Sequence, residues 1–321
     1  MRLLKNIKIN FTKNRKIAFI ISLSLIVIGI VSIAIHGGLG YGIDFSGGTL
    51  FELDFTPADE TIDPIEIQEL RDCLTSNGYG DSNIQSFGDP HHILIKIIAS
   101  EDVQQDQIEI VRIIQENFPE FTSDKEMNEL VRRSEHVGAQ VGEELRGKAF
   151  VAILISLLGI IIYIWWRFEF TFGIAAVIAL FHDVFITLGL ISIFNIEISI
   201  PIVGALLTIV GYSLNDTIVL FVRIRENLKI YRKEKYESII NHSINEVLSR
   251  TIITSLSTLI VVVSLFIFGG KVIHDFSITL MFGVIIGTYS SIFVASPLLV
   301  EYHNWKQKRS LKDRHHRSKK R

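Results

Sequence analysis

Cysteine is nearly missing from this chain. Cys73 is the only one in 321 residues, so no disulfide can close within it, and the lone thiol reads as buried or inert. No group of residues has metal-ligand spacing, no nucleotide fingerprint occurs, and no serine–histidine–aspartate set suggests nucleophilic catalysis. A glycine-rich stretch at Gly37–Gly48 leads into a strand and is not followed by Gly-Lys-Ser/Thr, which excludes a phosphate loop. There is no pattern of a cleaved leader. Lys13, Arg15 and Lys16 precede Ile17–Ile35, which is of membrane length and has no small-residue cleavage site after it, so it reads as a retained span. Basic residues are scarce in one long segment: residues 36–147 carry seven Lys/Arg against 23 Asp/Glu.

Apolar residues are abundant. They make up 48% of the chain, too much for a typical soluble protein of this size. Six runs are long enough to cross a bilayer: 17–35, 149–166, 170–193, 198–222, 251–268 and 276–300. Residues 1–16 hold six Lys/Arg, residues 223–250 seven, and residues 301–321 nine. Positive charge is retained inside, so these segments and both termini are expected in the cytoplasm, with 36–147 outside. Trp165 and Trp166 fit an interfacial position at the end of the second span. The basic tail, including His315 and His316, is expected to be mobile and to set topology. Contact with acidic lipid headgroups or ribosomal RNA is the alternative reading.

The exported segment alternates between strand and helix patterns. Thr49–Phe55, 84–87, 93–98 and 130–137 read as strands. Helices are expected from Asp63-Pro64 to Ser76, with Asp63 as N-cap, and over 102–117. The order βαββαβ is a ferredoxin-like unit. The expected fold is therefore α-helical with six transmembrane helices, plus a small α+β domain between the first two. Gly37, Gly38, Gly40, Gly42, Gly47 and Gly48 read as a flexible join, or hinge, ahead of that domain.

Asp216 stands out because an acid inside a membrane-length run costs roughly 2.5–3.5 kcal/mol on insertion scales. Such a residue usually faces a protein interior or a water-filled path. Gly204, Thr208, Gly211 and Asn215 share one small, polar face of the same helix, suited to close packing of another helix. Arg250 opens the fifth span with Thr254 and Ser257 following at helical spacing. It reads either as a snorkelling arginine or as a partner reaching toward Asp216. His182 and Asp183 lie mid-span in the third helix, where Asp183 either completes a polar path or caps a neighbour. Adjacent helical residues point about 100° apart, so the two are not expected on one narrow face. Gly283 and Gly287, flanked by Thr279 and Ser290, form a weakly specific packing signal in the sixth span. Two intramembrane acids raise an aspartyl protease. Helix counting places Asp183 and Asp216 at different depths, which argues against a shared-proton pair.

Several motifs resemble one family. Gly42-Ile43-Asp44-Phe45-Ser46-Gly47-Gly48-Thr49, Val210-Gly211-Tyr212-Ser213-Leu214-Asn215-Asp216-Thr217 and Arg223-Ile224-Arg225-Glu226-Asn227 are similar to the SecD/SecF family of protein-export membrane subunits. So are Leu248-Ser249-Arg250-Thr251 and Gly287-Thr288-Tyr289-Ser290-Ser291. The resemblance implies a half of RND-like architecture, working with a SecD partner beside the SecYEG channel, with YajC and YidC as further candidates. It implies emerging unfolded polypeptides as substrate, membrane lipids as surroundings, no nucleic acid, no enzyme activity, and no cofactor beyond the proton as coupling ion. It puts the proton-linked aspartate at Asp216 and a functional arginine at Arg250. Many members carry a second acid where this chain has Val222. A passive scaffold and half of a small-molecule exporter are the competing expectations.

Overall fold

The computed structural model describes residues 9–57, 62–80, 82–87, 89–97, 103–122, 125–270 and 273–318. A 3-10 turn at Thr12–Asn14 leads into α1 (Arg15–Ile35), then α2 (Ile43–Ser46), β1 (Gly48–Asp54), α3 (Ile67–Ser76), β2 (Asn83–Phe87) and β3 (Asp89–Ile97). There follow α4 (Val103–Asn117), α5 (Pro119–Thr122), α6 (Met127–Leu130), β4 (Val131–Val137), α7 (Ala139–Arg167), α8 (Phe170–Ile193), α9 (Ile200–Ile230) and α10 (Tyr236–Phe268). The last helical stretch is α11 (His274–Ser290), a π-helical turn (Ser291–Ala295) and α12 (Ser296–Ser318). The chain divides into two compact units: residues 41–151 with 198–200, and the rest.

The smaller unit is built on a four-stranded antiparallel sheet in the order β2-β3-β1-β4. This is the ferredoxin-like order expected for βαββαβ. Alternation along β1 turns Phe51 and Leu53 inward, and Ile93, Ile95 and Ile97 of β3 do the same. Leu70 and Leu74 of α3 and Ile110, Ile113 and Ile114 of α4 close the core. α3 begins later than expected. Ile65 is buried in the core and Glu66 is extended, so Asp63 and Pro64 lie in an exposed lead-in rather than at the helix start. At one end of the sheet, Asp54 accepts from the Thr56 amide (2.9 Å) and pairs with Lys125 (3.2 Å) and His92 (3.4 Å).

The glycine-rich stretch is not uniformly loose. Gly37 (φ 71°) and Gly38 (φ 133°) end α1, with no atom near an added Cβ. Further on, the Gly42 amide donates to the Ile198 carbonyl (2.9 Å), and Asp44 Oδ2 accepts from the Ile200 amide (2.9 Å). A Cβ on Gly47 (φ 71°) would lie 2.7 Å from Ala139 Cα, so that turn is filled. Gly37 and Gly38 donate to the Ala34 and Ile33 carbonyls and close the end of α1, Gly42 and Gly47 belong to a packed turn, and Gly48 opens β1.

Six helices among the described residues are long and apolar enough to cross a membrane. α8, α9 and the α11–α12 helix are about half buried, whereas α1, α7 and α10 are mostly exposed. α1 crosses α8 closely: a Cβ on Gly29 would lie 2.8 Å from Gly189 Cα, and Ser32 and Ser192 hydroxyls meet at 2.9 Å one turn on. Glycine removes the bulk that would keep two backbones apart in lipid. α11 packs on α9 in the same way, Gly283 against Ile209 and Gly287 against Ser213.

Several helices run beyond the expected spans. Residues 223–250 are the ends of α9 and α10 around a short turn, with Arg223 Nε donating to Glu246 (2.6 Å). Buried Asn227 donates to Ser243 (3.0 Å) across the same pair. Asn241 and Asn245 hold the backbone of residues 9–12. The tail expected to be mobile is helical through Ser318, because α12 continues the last span without a stop signal.

Candidate functional site in the membrane unit

The site grows from α9. Ser213 and Asp216 are three residues apart and share one buried face. Across from Ser213 lies Asp183 of α8. Its carboxylate accepts from His182 Nδ1 (2.8 Å) on one oxygen and from the hydroxyls of Ser213 and Ser290 (2.7 Å from the latter) on the other. α8, α9 and α11 are thereby tied at one point. A buried carboxylate needs such donors to offset the water it has lost.

Asp216 is held differently. It is 5% exposed, and its contact is the Ser255 hydroxyl of α10 at 3.5 Å. Ser255 in turn accepts from Thr288 of α11 (2.7 Å). A carboxylate can accept about four hydrogen bonds, and among the described residues this one long contact is the hydrogen bond to Asp216.

Aromatic rings extend the arrangement. Tyr289 stacks on His182 (6.3 Å between centroids) and on Phe293 (5.2 Å), and Phe293 meets Phe11 edge-on (5.5 Å). The Tyr289 hydroxyl donates to the Ala18 carbonyl of α1 (2.9 Å). Phe293 lies in the π-turn that follows Ser290. Single π-turns inside α-helices occur often at functional sites.

The expected residues fall into three groups. Asp183 and Asp216 are both buried and linked to neighbouring helices, but they bond to different residues and not to each other. His182 and Asp183 do share a site, because the His182 ring turns back onto its neighbour's carboxylate. Gly283, Gly287, Thr279 and Ser290 are buried on the α11 face. Arg250 is exposed and forms no ion pair with Asp216. Thr254 and Ser257 bond to carbonyls of their own helix and give no inward stripe. Gly204, Thr208, Gly211 and Asn215 are all exposed. Nothing lies within 4 Å of a Cβ on Gly204 or Gly211, so among the described residues no helix covers that face.

Reading the residues did not find Ser255 as the partner of Asp216, nor Ser213 as the partner of Asp183. Both serines lie on lipid-length helices, where a hydroxyl has no water to turn to, and that is the signal they carried. The Gly29/Ser32 and Gly189/Ser192 pairs share one spacing, a cue to their crossing.

Comparison with known proteins gives consistent results. The family model "Protein export membrane protein SecD/SecF, C-terminal" matches residues 118–305, and "SecD/SecF GG Motif" matches residues 32–59. The chain is 50% identical to the protein translocase subunit SecF of Desulfurispirillum indicum over 91% of each chain. It is 45% identical to that of Calditerrivibrio nitroreducens over 93% of this chain and 96% of the relative. In structure it is similar to SecDF, a translocon-associated membrane protein from Thermus thermophilus (TM-score 0.82, 37% identity). That match covers 95% of this chain and 40% of SecDF.

Proposed function

The chain belongs to the SecD/SecF family of protein-export membrane proteins, a multi-pass membrane protein of protein translocation, and from that premise we propose that it couples the proton gradient to late steps of export. Asp216 takes a proton from outside the inner membrane and releases it to the cytoplasm, where both termini lie. The change in charge alters how α9 seats against α10 and α11. That change reaches the exported domain through the Gly37–Gly40 join and moves the emerging polypeptide. One charge crossing 100 mV is worth about 2.3 kcal/mol, enough for a modest shift between two helix packings.

The observation that carries this reading is the contrast between the two buried acids. Asp183 receives three donors and serves as a fixed tie, whereas Asp216 has one long contact among the described residues. An acid held by so few bonds gains and loses its proton without breaking a network, and the helix that carries its one contact, α10, feels the change.

A SecD-type partner covers the open face of α9 at Gly204, Thr208, Gly211 and Asn215. Small residues there admit a close helix. The SecYEG channel, YajC and YidC are further partners in this reading, and Arg250 sets the charge at the cytoplasmic end of the path. The test is Asp216→Asn in the full chain, with expression and SecD binding measured. Retained assembly with loss of gradient-dependent export supports the coupling. Full export from the assembled variant overturns it in favour of a passive scaffold.

A further inference from the structure

His182 is 94% buried, its exposure being 6%. One ring nitrogen, Nδ1, lies 2.8 Å from Asp183 Oδ1. The other, Nε2, is buried and has no hydrogen-bond partner among the described residues. Asp183 already receives hydroxyls from Ser213 and Ser290. The arrangement matches an ionised Asp183 beside a neutral His182 that carries its proton on Nδ1. The pair then holds a net charge of −1 in the helix interior and presents a bare lone pair at Nε2. Buried net charge is costly, and one further proton removes it.

We propose that His182 is a second proton acceptor of the membrane unit, with Nε2 as the atom that takes the proton. The incoming proton binds the Nε2 lone pair, Nδ1–H stays on Asp183, and the pair passes from −1 to neutral as an ion pair. No other contact of Asp183 has to break. Among the described residues, the titratable groups in contact with the ring are Asp183 on its own helix and Tyr289, stacked on it from α11. Asp216 is on α9, one turn from the Ser213 that donates to Asp183. α1 presents Ala18 and Ser22 near Tyr289, and Glu301 of α12 is engaged by Arg15. Ser213 gives the pair a link to the helix that carries Asp216, so His182 acts as a positioning residue for that acid. This role rests on the coupling proposed for Asp216, although proton binding at His182 does not.

The experiment uses the full chain in lipid nanodiscs with 15N-labelled histidine. Spectra are followed from about pH 8 to about pH 5, the range in which histidine changes charge. The Asp216→Asn background removes the other acid. The expected result is one imidazole signal, absent from His182→Asn, that passes from the Nδ1–H tautomer to the doubly protonated form. A His182 signal that stays neutral to the acid end overturns the proposal. His182→Asn keeps an amide donor near the Nδ1 position but cannot titrate, and gradient-driven export by its assembled form is expected to fall by roughly tenfold or more. Unchanged export with an unchanged pH profile overturns the positioning role. If His182 titrates while Asp216→Asn exports normally, the proton site stands and the Asp216 coupling falls. If His182 stays neutral while Asp216→Asn abolishes export, the reverse holds.

Discussion

The interior of the small α+β unit is nearly all apolar, whereas the helical unit sets buried acids and hydroxyls into an apolar core around Phe172, Phe221 and Leu299. In the first, Phe51, Leu53, Phe55, Leu70, Ile95 and Ile114 are out of contact with solvent, and the charged groups around Asp54 sit at the end of the sheet. In the second, Asp183, Asp216, Ser213, Ser255 and Ser290 are buried, while Leu256, Ile260 and Val261 are exposed. The difference follows from the solvent. Water drives apolar side chains together. Lipid tails offer an apolar residue the same company outside the protein as inside, so close packing and hydrogen bonds between helices take over.

The comparison breaks most easily at its apolar end. Phe51→Ala is expected to destabilise the α+β unit by about 3–5 kcal/mol, read by hydrogen exchange of β1 and β3 amides in the full chain. Leu256→Ala, equally apolar but exposed on α10, is expected to stay within about 0.5 kcal/mol in a thermal unfolding assay in lipid. Equal losses at the two positions would mean the units share one driving force.

A packing change tests the helical unit. A Cβ at Gly283 would lie 2.1 Å from Ile209 Cγ1, and Ile209 is itself buried. Gly283→Val is expected to cost about 1–3 kcal/mol by pushing α11 off α9. Thermal unfolding of the lipid-reconstituted chain checks this. An unaffected midpoint would show that the two helices are not in close contact.

A further effect concerns charge. Burial pushes the Asp54 carboxyl up, but the Thr56 hydroxyl and amide and the Lys125 ammonium outweigh it and hold the group well below the usual carboxylate range. A depressed value in the folded state means the stabilisation is present above the ordinary value of about 4 and is lost as pH falls below it. Protection of β1 amides is expected to drop between about pH 5 and pH 2, and Asp54→Asn is expected to remove that dependence at a cost of about 1.5–3 kcal/mol at neutral pH. A variant with the wild-type pH profile would assign the acid sensitivity elsewhere.

Much of this architecture was readable beforehand. Runs of 18 or more apolar residues announce spans because hydrocarbon leaves a helix no other way to satisfy its backbone. Alternation at Thr49–Phe55 announces a half-buried strand. The acids were legible as candidates for the same reason, since Asp183 and Asp216 have no place in a lipid-facing run without a purpose. Boundaries were less so. α10 begins at Tyr236, well before its apolar run, because helical hydrogen bonds continue into water as readily as charged residues allow. α3 begins late, because a tertiary contact of Ile65 outweighed the capping signal at Asp63-Pro64.

By itself, then, the order of residues determined how many helices cross, which unit forms the sheet, and where acids enter the lipid-length segments. These depend on neighbours a few positions apart along the chain. Only the tertiary structure decided that Ser213 and Ser290 converge on Asp183, that Ser255 reaches Asp216, and that the Gly204–Asn215 face is exposed among the described residues. Such pairings depend on helix rotation and crossing. A rotation of one residue, about 100°, sends a hydroxyl from the interior to the lipid, and spacing along one helix says nothing about the turn of the next.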